Sequence, residues 1–107
     1  MGRNSILRGL TKSYTAAVAD PANEFVHLYE ITERLVTHFG REAVVFQTLT
    51  FPKAKWKRLR QLANHEPIRQ GRHRGKHGPT PREATKAELE EARQIARDII
   101  YKFAETV

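Results

Sequence analysis

Arg69, Arg72, His73, Arg74 and His77 fall within nine residues of one another and supply the groups that metal-free phosphoryl chemistry needs. RNA can cleave itself when its 2′-hydroxyl attacks the adjacent phosphate. A histidine, which titrates near neutrality, can accept or donate the proton. An arginine can neutralise the charge that grows on the phosphorane-like transition state. The competing reading is that the same side chains hold phosphate and leave it intact. Gly71, Gly75 and Gly78 leave the geometry of the stretch open, and the choice with it.

Other chemistries find less to work with. The chain has no cysteine, which excludes disulfides, thiolate metal sites and covalent catalysis at sulfur. That absence fits a reducing compartment. No glycine-rich GK[ST] phosphate loop is present, and no aspartate cluster suggests a magnesium site. His65, His73 and His77 have spacings of eight and four that could hold a metal. With many arginines around them and no cysteine or aspartate beside them, a cation would be repelled. No metal and no cofactor are expected.

The 107 residues carry a net charge of +7, unevenly spread. From Lys53 to Lys76 nine basic residues face one acid, Glu66, a local charge of +8. Ten basic and eleven acidic residues make up the remainder, a charge of −1. Such a concentration draws in a polyanion and speeds its arrival. Lys53, Lys57, Arg58, Arg60, Arg69, Arg74 and Lys76 are the expected phosphate contacts. Asn64 and His65, where the basic helix gives way to the loop, join them. RNA is the favoured partner. A solubilising face, or a surface for an acidic protein partner, is the alternative.

The elements that must position these residues read as helices. Residues 1 to 19 place Ile6, Leu7, Leu10 and Tyr14 at helical spacing, with a polar start expected to fray. Asp20-Pro21 marks a helix start, Asp20 as cap and Pro21 in the first turn. Phe25, Leu28, Tyr29, Leu35, Val36 and Phe39 follow as one stripe, with Thr32 filling the gap and Gly40 closing the helix. Residues 41 to 50 fit a short helix better than a strand, because no second strand is there to pair with it. After Phe51-Pro52, Trp56, Leu59, Leu62 and Ala63 form an apolar face opposite Lys53, Lys57, Arg58 and Arg60.

Three glycines and three prolines in residues 65 to 81 preclude a continuous helix and indicate a long basic loop. Thr85 and Glu88 match a capping box. Leu89, Ala92, Ala96, Ile99, Ile100 and Phe103 then line one helical face, with Ile95 widening it. Trp56 and Tyr29 fall on apolar faces and are expected in the core. Tyr101 falls off its face and is a candidate for stacking or a subunit contact. The pattern predicts one all-α domain, a four- to five-helix bundle with a long basic loop before the last helix. No apolar run reaches membrane-spanning length and no secretory signal is apparent, so the cytoplasm is the expected location.

At residues 56 to 77, WKRLRQLANHEPIRQGRHRGKH, the chain resembles the HEPN superfamily of helical domains, and the likeness extends loosely from Phe25 to Phe103. The resemblance implies a four- or five-helix bundle. Many members are metal-independent ribonucleases that work as dimers in toxin–antitoxin, phage-defence and RNA-processing systems. Others have lost catalysis and serve as binding or scaffold domains. The family motif is an arginine, four to six residues, then a histidine. Arg72 to His77 fits with four between, as does Arg60 to His65, and Arg58 to His65 fits with six. The resemblance implies Arg72, His73 and His77 as catalytic residues, with two copies of the loop forming one composite site in a homodimer. The chain departs from the pattern in having Gly71, Gly75 and Gly78 where the family generally has helix.

Overall fold

The computed structural model describes residues 2–65, 68–71 and 82–107. Five α-helices carry most of them: α1 (Arg3–Ala19), α2 (Glu24–Phe39), α3 (Glu42–Leu49), α4 (Lys53–Arg60) and α5 (Lys86–Ala104). A 3₁₀ turn, Pro21–Asn23, joins α1 to α2, and α4 runs on into a π-helical turn, Gln61–His65. Among the described residues there is no strand, only an isolated bridge between Ile68 and Arg82. The all-α bundle expected from the periodicity is the observed fold.

The long helix α2 sits at the centre. Phe25, Leu28, Tyr29, Ile31, Thr32 and Leu35 are buried along it, and Val36 and Phe39 pack at its edge. Ile31 lies off the expected stripe. It is buried because α2 is covered on several sides, by α1, α4, the π turn and α5. A central helix buries more than one stripe. Leu10 and Ala17 of α1 and Ala92, Ile95, Ala96, Ile99 and Phe103 of α5 close the core from two sides. Each large side chain taken fully from water contributes roughly 1.5–3 kcal/mol before entropy is counted. The N-terminal helix is therefore longer and better anchored than its polar start suggests, with Leu10 fully buried.

The start of α2 differs from the sequence expectation. Pro21 lies in the 3₁₀ turn, the α-helix begins at Glu24, and the Asp20 side chain makes no capping hydrogen bond. Its carboxylate instead accepts from Asn23 Nδ2 at 3.1 Å and meets His27 Nε2 at 2.9 Å. The first-turn amides of Phe25 and Val26 donate to the carbonyl of Gln70, at 3.0 and 3.3 Å. Helix amides that lack an internal partner are thus satisfied by a segment more than forty residues away in sequence. Beside them Glu24, only 4% exposed, accepts two hydrogen bonds from Arg93 of α5, Nε at 2.5 Å and Nη2 at 2.8 Å. The carboxylate pushes the Arg93 pKa up.

The other boundaries follow the local signals. Gly40 adopts a positive φ of 95° and its amide donates to Val36 O at 2.7 Å, ending α2. The capping box of α5 is complete: Glu88 N donates to Thr85 Oγ1 at 3.1 Å, and Thr85 N to Glu88 Oε1 at 2.9 Å.

Candidate nucleic-acid interface

The helix α4 is held by an aromatic joint. Trp56 is fully buried, its ring stands edge-on to Phe46 with centroids 5.6 Å apart, and its Nε1 donates to Glu42 Oε2 at 2.8 Å. Leu59 adds the next turn, and Leu62 and Ala63 are buried in the π turn. The apolar face expected from the sequence is the observed one. Lys53, Lys55 and Lys57 are all exposed. Lys53 leans over the Phe46 ring, 5.5 Å from its centroid. Among the described residues none of the three lysines is ion-paired with a carboxylate.

The arginines expected beside these lysines are engaged elsewhere. Arg58 Nε donates to both carboxylate oxygens of Glu91 on α5, at 3.1 and 3.2 Å. Arg60 is 20% exposed and turns inward. Its Nη2 donates to Tyr29 Oη at 2.8 Å and its Nη1 to Thr32 Oγ1 at 3.0 Å. The guanidinium lies over the Tyr29 ring at 4.6 Å from the centroid, a cation–π contact in a half-desolvated setting. Arg60 is thus a brace between α4 and α2, and it does not share the outer face with the lysines. Arg69 pairs with Glu83 at 3.0 Å. Asn64 is half-buried within the π turn.

Residues 68–71 and 82–84 form a clasp. Ile68 is fully buried. Arg69 N donates to Arg82 O at 2.8 Å. Gln70 uses its whole functionality: its carbonyl caps α2, its Nε2 donates to Glu83 at 2.8 Å, and its Oε1 accepts from Ala84 N at 3.2 Å. At Gly71 a Cβ would stand 3.0 Å from the Ala63 carbonyl oxygen, so any side chain there would crowd the backbone of the π turn. Arg82 then grips Glu88 with two hydrogen bonds of 2.7 and 2.8 Å. That grip pulls the Glu88 carboxyl down to about 2, and the Thr85 hydroxyl and amide add to it.

The expected catalytic residues Arg72, His73 and His77 lie outside the described residues, as do Arg74 and Lys76. So does the His65 side chain. Of the other two motif matches, Arg60–His65 has its arginine committed to Tyr29 and Thr32, and Arg58–His65 has its arginine committed to Glu91. Among the described residues no three histidine, aspartate or glutamate side chains are grouped to hold a metal, and no helix is long and apolar enough to cross a membrane. Lys55 was not among the expected contacts. Its i, i+2 spacing from Lys53 and Lys57 places it on the other flank of α4, facing α5.

No protein-family model matches the chain, and no curated protein and no solved structure matches it either.

Proposed function

We propose that this protein is a HEPN-like nucleic-acid-binding domain whose ligand is RNA, held by the exposed lysines on the two flanks of α4 and by the basic residues 72–77, and that the latter give it metal-independent endoribonuclease activity. The observation that carries the binding is the division among the cations of α4. Arg58 and Arg60 are neutralised or braced within the fold, while Lys53, Lys55 and Lys57 are exposed and without carboxylate partners among the described residues. Cations held that way can neutralise phosphates and so release the counterions condensed on a nucleic-acid backbone. Arg72, Arg74 and Lys76 follow in the sequence with one acid, Glu66, among them and the lysines. In this reading the protein acts in the cytoplasm, as a homodimer, in a toxin–antitoxin or defence setting. Arg72 binds phosphate and His73 or His77 moves the proton.

The test is fluorescence anisotropy of labelled RNA across a salt series. Changing Lys53, Lys55 and Lys57 together to Gln should flatten the plot of log affinity against log salt by about 2, roughly 0.7 for each contact on a single strand. Arg58→Gln should leave the slope nearly unchanged, since Glu91 already opposes that charge. Salt-independent binding, or co-purification with an acidic protein in place of RNA, would remove the RNA reading. Cleavage is read separately, in EDTA. Products ending in 2′,3′-cyclic phosphate that vanish with His73→Ala or His77→Ala support the ribonuclease, and full-length RNA at high protein concentration removes it.

A further inference from the structure

The flank of α4 that faces α5 carries a second feature. Asp98, Tyr101, Lys102 and Glu105 recur at i, i+3, i+4 and i+7, so they form one stripe along α5. Phe51, Pro52 and Lys55 face this stripe across an open cleft of about 270 Å³. Tyr101 is 65% exposed and is the one exposed aromatic among the described residues. Its neighbours Ile99 and Phe103 are buried, which leaves its ring on the outside of the helix.

The charges around the ring are arranged so that its face suits a base better than a phosphate. Asp98 Oδ1 accepts from Gln94 Nε2 at 2.9 Å, and Glu105 Oε1 lies 3.8 Å from Lys102 Nζ. These two carboxylates repel a phosphodiester laid along α5, yet their free lone pairs can accept from the amino groups of a base. The uncommitted cation on the facing side is Lys55, which α4 turns toward α5 while Lys53 and Lys57 lie on its other flank. A strand can therefore set a phosphate on Lys55 and turn the neighbouring base onto the ring.

From this we infer that Tyr101 is a stacking platform for one unpaired base, and that the nucleic acid the protein takes is single-stranded. The inference rests on the RNA-binding reading above and narrows its ligand. Base–aromatic stacking tolerates any sequence because every base has a π-face. A duplex keeps its base faces covered and cannot use the ring.

The experiment compares a labelled single-stranded RNA of about twelve nucleotides, a length within the usual range of single-strand sites, with the same strand in a duplex. Tyr101→Ala should weaken single-strand binding about tenfold, the scale of one stacked base, and leave duplex binding and the circular dichroism unchanged. Tyr101→Trp should retain single-strand affinity. If Tyr101→Ala binds the single strand as the parent does, while the triple lysine variant shows the flattened salt slope, the platform is wrong and the α4 reading stands. If the parent shows no salt-dependent RNA binding at all, both fall. Conversion of a dimer to a monomer by Tyr101→Ala, seen by sedimentation velocity, would also overturn the platform, because the ring would then be covered by a second copy.

Discussion

Replacing Arg60 by methionine separates the charge of α4 from its architecture. Methionine keeps an apolar stem against the Tyr29 ring and removes the guanidinium. Lost with it are the hydrogen bonds to Tyr29 Oη and Thr32 Oγ1 and the cation–π contact at 4.6 Å. A hydrogen bond from a charged donor is worth about 1.5–3 kcal/mol when the group is shielded, and less as solvent reaches it. Arg60 retains 20% of its exposure, so about 1 kcal/mol for each bond, below that range and near the value of an ordinary hydrogen bond, is appropriate. The ring contact adds roughly 0.5–1 kcal/mol. The expected loss is about 2–3 kcal/mol, a large share of the 5–15 kcal/mol typical of a domain. In thermal unfolding it would lower the midpoint by roughly 10 °C or more. Urea unfolding followed by the fluorescence of Trp56, the single tryptophan, measures the stability. Anisotropy at low temperature, where the variant remains folded, measures RNA affinity, which should change less than twofold. Unchanged stability together with a tenfold loss of affinity would refute the brace and return Arg60 to the phosphate-binding face.

Two further perturbations follow from the fold. Arg93→Leu leaves the carboxylate of Glu24 buried without its cation, which should cost about 3 kcal/mol in urea unfolding. The double variant Glu24→Gln with Arg93→Leu should recover part of that loss, and equal losses in the two would show that the pair is not coupled. Because the Glu88 carboxyl is held at about 2 against its usual 4.5, its stabilising effect is complete above about pH 4.5 and disappears as pH falls toward 2, where the unfolded chain takes the proton first. The full difference corresponds to about 3 kcal/mol, but Arg82 is 45% exposed, so screening reduces it to about 1–2 kcal/mol. Arg82→Gln should flatten the decline of stability between pH 4.5 and 2, and an unaltered decline would count against the Arg82–Glu88 contact.

The features legible before the fold was known are those set by neighbours a few residues apart. The stripe through Phe25, Leu28 and Leu35, the glycine stop at Gly40 and the Thr85–Glu88 box all arise from i to i+3 or i+4 relations, which a sequence displays directly. The local signal at Asp20-Pro21 does not show the cap on α2, because the carbonyl that accepts from its first amides belongs to Gln70, which reaches them only in the folded chain. Tyr101 was legible as a residue off the apolar face, but the cleft opposite it needed Phe51, Pro52 and Lys55 to be brought alongside.

The sequence by itself determined that the chain is helical, which faces of its helices are apolar, and that its excess positive charge is confined to residues 53–76. The tertiary structure alone decided which of those charges face outward unopposed. Arg58 meets Glu91 across 33 positions, and Arg60 meets Tyr29 across 31, whereas Lys53, Lys55 and Lys57 point outward from the same helix. The physical reason is that formal charge belongs to a residue type, while its capacity to attract a phosphate depends on partners within a few ångströms, and packing selects those partners without regard to their distance along the chain.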